Sequence, residues 1–471
     1  MLFNSHAFIF AFLPIAFAGY FLIGARDRRM AAAWLAIASI AFYGWWNPRF
    51  VLLLVGSIAG NYVFGNAIAT AAGTPRGRRL LVAALTLDLC VLAFFKYANF
   101  FIETLDASGV AHWAAVDILL PLGISFFTFT QITYLVDAYR GETRAYGFIH
   151  YFLFVSYFPH LVAGPILHHA EILPQLEDPA TYHPRVDAIA LGLTLFAIGM
   201  AKKVLVADPL GEYANAVFDA ARDGARPHLV AAWGGALAYT LQLYFDFSGY
   251  SDMAIGISML FNIRLPINFD SPYKSASIIE FWRRWHMTLS RFLREYLYVP
   301  LGGNRRGPAR RYVNVMITML LGGLWHGANW TFVVWGGLHG IYLVVNHGWR
   351  NAGLRMPRVL GVAVTFLSVV FAWVVFRSAD FGTASSMLTG MAGMNGVSLP
   401  VSVAPRVVGL LVSGLAIVWL APNSQALARY TVDRVGAIRL PSPAFAFAAG
   451  AMLAAAIMGL DRVSTFLYYQ F

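Results

Sequence analysis

Cysteine is nearly absent: the chain of 471 residues contains one, Cys90. No internal disulfide can form, and no cysteine pair is available to hold zinc. Cys90 lies in the apolar run LLVAALTLDLCVLAFF and reads as buried packing. Charge is also scarce. Only 12% of residues are charged, against roughly 25% in soluble domains, while 59% are hydrophobic and the mean hydropathy is +0.62. This composition excludes an ordinary soluble fold, and it excludes disorder. There is no internal repeat and no Ser/Gly linker, so residues 1–471 read as a single integral domain. A GxSxG nucleophile elbow is missing, which removes serine-esterase chemistry of that kind. The first residues, MLFNSHAFIFAFLPIAFAGYFLIGARDRR, lack the basic start and small-residue cleavage site of a signal peptide and read as a retained helix.

What is present is length without polarity. Apolar runs able to span a bilayer recur from end to end, giving an all-α polytopic membrane protein; a transmembrane barrel would show short alternating segments instead. Spans are expected at about 7–25, 31–47, 50–72, 80–97, 115–137, 147–165, 187–205, within a long tract at 229–261, and at 312–325, 329–347, 359–377, 406–421 and 441–460. That makes about 11–13 transmembrane or re-entrant helices, with the stretch 206–228 ambiguous. The net charge of +11 fits the positive-inside rule rather than nucleic acid, since no recognition motif accompanies it. The basic loops 25–29, 75–79 and 140–144 follow the first, third and fifth spans and set the cytoplasmic side. Residues 349–358 and Arg429, Arg434 and Arg439 fit the same side.

Three segments differ from plain spans. In LPLGISFFTFTQITYLVDAYRG (120–141), Pro121 and Gly123 interrupt a run dotted with Ser125, Thr128, Thr130, Gln131 and Thr133. Such polarity either lines a cavity or bonds neighbouring helices. In YFDFSGYSDMAIG (244–256), Asp246 and Asp252 sit inside an apolar tract, and Ser248-Gly249 offers a break between half-spans. Acids at membrane depth are costly and normally face a pathway or partner, so Asp246, Ser248 and Asp252 are candidate site-wall residues; helix capping at a wet boundary is the plainer alternative. In SASIIEFWRRWHMTLSRFLREYLYVPLGGNRRG (275–307), Ser277 and Glu280 have capping-box spacing. Trp282, His286, Leu289, Leu293 and Tyr296 recur on one helical face, and Glu280–Arg284 and Arg291–Glu295 have i,i+4 spacing. An amphipathic helix at the cytoplasmic interface is expected there.

The sharpest candidate is His326, in GGLWHGANW (322–330). It follows an apolar run of 14 residues, 312–325, too short to cross a core that takes about 20. The turn at 325–329 is therefore expected within the membrane or in a funnel reaching into it. Gly322, Gly323 and Gly327 permit close approach, Trp325 and Trp330 can exclude water, and a shielded imidazole can act as a base. His6, His112, His183 and His228 read as surface or interface residues, and His339 and His347 as helix-packing donors. His168-His169 carries a metal-like pairing, but nothing near in sequence completes a ligand set, so no metal is expected.

These stretches, together with FFKYANFF, FPHLVAGPI and GLWHGANWTFVVWGGLHG, resemble the membrane-bound O-acyltransferase (MBOAT) family, in its branch that acetylates bacterial polysaccharides such as alginate. The likeness covers most of 1–347, with the motifs within about 90–347; the helices of about 357–471 match in hydropathy only. The resemblance implies that His326 is the catalytic histidine and that His286, in WRRWH, fills the second motif position. It also implies a ring of helices around a thin centre, with a central funnel. The donor implied is an acyl thioester, acetyl-CoA in the first instance, used as substrate; no permanently bound cofactor is expected. Arginines from 283 to 311, Arg283 and Arg284 among them, suit an anionic donor, and Trp285 flanks the second histidine. His326 would activate an acceptor hydroxyl, with an acyl-histidine as an alternative route. Asn329 and backbone N–H groups near Gly327 would stabilise the oxyanion. The expected partners are a periplasmic esterase-like acetyltransferase, a polysaccharide acceptor and the lipid of a bacterial inner membrane. D-alanyl transfer to teichoic acid remains an alternative enzyme, and a transporter an alternative class, since transporters too use broken helices and membrane acids.

Overall fold

The computed structural model describes residues 1–110, 113–144, 146–397, 405–428, 443–460 and 466–467. His112 and Arg429, Arg434 and Arg439 lie outside the described residues. Among the described residues every regular element is a helix. Four helices are long and apolar enough to cross a membrane by length and composition: Pro48–Thr70, Pro75–Ala107, Val186–Arg222 and Arg358–Arg377. Shorter apolar helices include Phe8–Gly24 and Pro405–Leu420. The sequence marks their starts clearly. Asp27 accepts from Arg29 N and Met30 N at the head of Arg28–Gly44, and Thr74 precedes Pro75 and accepts from Gly77 N. These caps satisfy orphan helix donors, and proline at the first position loses no bond.

The contacts of the chain gather into two compact units. The first comprises Met1–Ile198, Ser251–Ile267 and Ala428–Thr465; the second comprises Gly199–Tyr250, Asn268–Leu427 and Phe466–Phe471.

In the first unit, the expected span at 115–137 is helical only from Ile124 to Arg140. Gly123 begins it in the left-handed region at φ 72°, where a Cβ would meet the Leu161 carbonyl, so Pro121 and Gly123 stop the helix rather than kink it. Two of its polar residues bond neighbouring helices: Gln131 Nε2 donates to Ser57 Oγ at 2.9 Å and Lys96 Nζ reaches Ser125 Oγ at 3.5 Å, while Thr133 bonds back to the Thr130 carbonyl of its own helix. The expected span 147–165 is a short helix, Phe148–Ser156, followed by Phe158–Leu161 with Pro159 at its start. Cys90 is exposed rather than buried, on the outer face of Pro75–Ala107.

In the second unit, the hairpin of Gly307–His326 and Trp330–Asn351 carries the main motif. The first helix has 20 residues because it begins at Gly307-Pro308, ahead of the apolar run. At about 1.5 Å per residue it spans about 30 Å. The ambiguous stretch after 205 is helix: Val186–Arg222 runs on through a π-helical turn at Lys202–Ala207. No break occurs at Ser248-Gly249, since Leu229–Leu260 is one helix of 32 residues. Gly249 serves close packing instead, because a Cβ there would meet the Gly199 carbonyl.

Candidate active site

The expected amphipathic helix at 275–307 is broken where its histidine sits. Ser277 Oγ accepts from Glu280 N at 3.2 Å and caps Ile278–Arg284. Glu280 reaches back to Ala276 N, one residue beyond the Ser277 N of a full box, and pairs with Arg284 at 3.1 Å as the spacing expects. The helix then stops at Trp285. His286 adopts a left-handed conformation, φ 41°, before Met287–Phe292 resumes and a π turn follows at Leu293–Tyr298. Left-handed backbone at a β-carbon residue is strained and persists only where the surroundings impose it. Segment 268–270 imposes it here: Asp270 N donates to the Arg284 carbonyl and Met287 N to the Asn268 carbonyl, both at 2.9 Å.

Asn268 also aims the imidazole. His286 Nδ1 lies 3.1 Å from Asn268 Oδ1, the oxygen that also accepts from Thr288 N at 3.2 Å and Thr288 Oγ1 at 2.9 Å. An oxygen receiving other donors takes a donor from the ring, so Nδ1 carries the hydrogen and Nε2 presents its lone pair. His286 is fully buried, with Phe247 edge-on at 4.8 Å and Trp325 at 6.2 Å.

Trp325 is shared. Its ring also lies 5.0 Å from His326, so one indole touches both motif histidines. His326 is the last residue of its helix and is 5% exposed. Trp335 stands edge-on to it at 5.0 Å and Phe376 at 5.3 Å. This box depends on the hairpin's close approach: a Cβ at Gly323 would meet the Phe332 carbonyl, and one at Gly336 the Met319 carbonyl. At Gly327 it would strike the Phe332 ring. An imidazole walled by aromatics is shielded from bulk water, and in low dielectric its interactions are strengthened.

The other sequence candidates separate. Asn329 caps Trp330–Asn351 through Oδ1, which accepts from Thr331 N at 2.9 Å, and its Nδ2 donates to the Ala379 carbonyl at 2.8 Å, so the side chain tethers the turn after His326. Trp330 is half exposed. Trp285 is core, packed 5.0 Å from both Phe269 and Trp373. Arg284 ties its own loop to Asp270 and Glu280, while Arg283 is exposed. Asp246 is answered by Lys203, 2.6 Å away, which also meets Asp208 at 2.7 Å, and Leu467 N donates to its second oxygen. Ser248 receives Lys202, which also reaches Ser424. Asp252 is buried in the first unit. His6, His183 and His228 are exposed.

Sequence reasoning missed Asn268, the aromatic walls Trp335 and Phe376, and the lysine pair. It also took His339 for a donor at its packing contact: the buried ring accepts Trp282 Nε1 at Nδ1, 3.3 Å away. Lys202-Lys203 inside an apolar tract was the available signal, because membrane cations seek the membrane acids. Nothing in the spacing marks Asn268, which acts across 18 residues.

A buried histidine pair on an all-helical membrane scaffold defines a class, and comparison with known proteins gives the family. The chain belongs to the membrane-bound O-acyltransferase family, whose model matches residues 76–379. It is therefore a multi-pass membrane O-acyltransferase, and the transporter reading falls. It is 44% identical to a peptidoglycan O-acetyltransferase of Helicobacter pylori, over 85% of this chain and 81% of that protein. Identity is 43% to a protein of Pseudomonas aeruginosa named probable alginate O-acetylase AlgI, over 89% and 80%. A teichoic acid D-alanyltransferase of Streptococcus thermophilus is 27% identical, over 54% of this chain and 68% of that one.

Proposed function

We propose that this chain takes an acetyl group from a cytoplasmic thioester, acetyl-CoA, and delivers it through a bacterial inner membrane for O-acetylation of an extracytoplasmic polysaccharide. The observation that carries the reading is the shared indole: Trp325 contacts both His286 and His326, and aromatics wall off His326. His326 takes the proton of an acceptor hydroxyl as its oxygen attacks the thioester carbonyl. The C–S bond then breaks, the thiolate takes the proton back, and free CoA leaves. His286, held with its Nε2 lone pair presented, positions the donor. The exposed Arg305, Arg306 and Arg310 supply a cationic face for a polyanionic nucleotide. The names of the 40–44% identical relatives favour acetyl over D-alanyl transfer, and a peptidoglycan or alginate-like acceptor. A periplasmic esterase-like partner would complete transfer to the polymer.

The test uses purified protein in sealed vesicles with labelled acetyl-CoA on the cytoplasmic face. Free CoA should appear there and label should reach an acceptor on the other face. His326→Ala should lower CoA release by about 100-fold to 10,000-fold, the range lost with a general base, while the protein still inserts. Undiminished release by His326→Ala would overturn the role of His326, and D-alanyl carrier protein serving as the better donor would favour the teichoic acid reading.

A further inference from the structure

The first unit holds a second cluster of titratable groups, which the acyl-transfer chemistry leaves unused. Asp137, in the last turn of Ile124–Arg140, is buried. Its Oδ2 meets two consecutive imidazoles, His168 Nε2 at 2.7 Å and His169 Nδ1 at 3.3 Å. One ligand atom from each of the three residues lies within 4.8 Å of the others. The other carboxylate oxygen faces Arg140 at 3.4 Å. The sequence offered His168-His169 without a third ligand; the fold supplies it from 31 residues away.

His169 decides the chemistry. Its Nε2 lies 3.3 Å from the Glu142 carbonyl, which can only accept, so Nε2 carries a hydrogen. In the neutral ring, Nδ1 then presents a lone pair to Asp137 Oδ2. Two lone pairs face one another across 3.3 Å only when a proton or a cation lies between. That separation exceeds the roughly 2.7–2.9 Å of a charge-assisted hydrogen bond. It suits a tetrahedral ion, whose bonds of about 2.1 Å set its ligand atoms about 3.4 Å apart. The carbonyl behind His169 is the arrangement that orients a metal-ligating imidazole, and Tyr134 and Tyr146 pack edge-on against the same ring.

We propose that Asp137 Oδ2, His168 Nε2 and His169 Nδ1 bind a divalent cation of the zinc class, leaving a fourth position for water. The ion clamps the C-terminal end of Ile124–Arg140 to the N-terminal end of His169–Glu177. Binding moves the ring hydrogen of His168 to Nδ1, so the 3.4 Å bond from Ala170 N to that atom is given up. Glu171 still holds His168 N at 3.0 Å, which keeps the helix start in place. The His168–Asp137 contact lengthens as the cation replaces the shared proton.

The full chain, purified in detergent, is loaded with zinc chloride, dialysed and analysed for metal. About one zinc per chain should remain, and zinc should raise the melting temperature. His168→Asn, which keeps a capping side chain, and His169→Gln should each weaken retention at least tenfold and abolish the zinc-dependent rise. Wild type that retains no zinc, or no more than either variant, overturns the site and leaves an imidazolium–carboxylate pair. If the variants accumulate poorly, wild type alone decides: a zinc-dependent rise reversed by chelator supports the site, and its absence sinks it. Neither readout involves acyl transfer, so this inference stands or falls apart from the proposed function.

Discussion

Asn268 Oδ1 receives three donors, from the ring of His286 and from the backbone and hydroxyl of Thr288. That makes it a positioning residue with a specific signature. Asn268→Leu strands all three buried donors, each costing about 1–3 kcal/mol when unsatisfied, and should cut turnover by at least tenfold. Asn268→Asp keeps an acceptor at the same place and should restore most of the turnover that Asn268→Leu loses. A steady-state comparison checks this: a purely structural role would lower the amount of folded protein while leaving kcat per folded molecule intact. Equal kcat in Asn268→Leu and wild type would sink the role. The residue scale is also where the sequence was most and least legible. His326 stood out because glycines and tryptophans surround it within nine residues. Asn268 did not, because its partner is distant in sequence and its own neighbourhood, INFDS, reads as an ordinary turn.

Elements were legible by their apolar length and misread wherever polarity inside them had a partner. Leu229–Leu260 looked divisible because two acids and a Ser-Gly pair interrupt it, yet it is one helix. What sustains it is charge pairing. The π turn at Lys202–Ala207 brings Lys203 onto Asp246 and Asp208 and Lys202 onto Ser248; such turns re-aim side chains within a helix. Similarly, helical periodicity drew a single face through Trp282, His286 and Leu289, but the backbone reverses hand at His286 because 268–270 bonds both sides of it. Lys203→Met leaves Asp246 without its buried cation and should destabilise the protein by about 3–5 kcal/mol. Lys203→Met combined with Asp246→Leu should recover part of that loss, since an apolar pair of similar volume often replaces a buried ion pair without penalty. Thermal unfolding of the three detergent-solubilised variants measures the coupling. A Lys203→Met protein as stable as wild type would show that the pair contributes nothing.

At the scale of the whole molecule, the class was legible from composition alone: 59% hydrophobic residues and 12% charged leave few alternatives to a polytopic helical protein. Its division into two contact units was not, because each unit gathers pieces separated by more than two hundred residues, and no composition shift marks such a border. Charge gives a prediction for sidedness. Arg305, Arg306 and Arg310 are exposed at the start of Gly307–His326, and flanking arginines orient a helix with that end toward the cytoplasm. The motif histidine at the opposite end of the same 20-residue helix then lies about 30 Å of helix axis from the arginines. A thioester approaching from the cytoplasm would therefore have to thread its acyl arm deep toward His326. The prediction concerns the arginine end. In a Cys90→Ala background, which leaves the introduced thiol as the one cysteine of the chain, Arg305→Cys should resist an impermeant maleimide added to intact cells whose outer membrane is permeabilised. It should react once the inner membrane is opened. Labelling of Arg305→Cys in the intact cells would place the arginines outside. The donor would then have to come from the periplasm, where a CoA thioester has no supply, and the direction of transfer would have to be reversed.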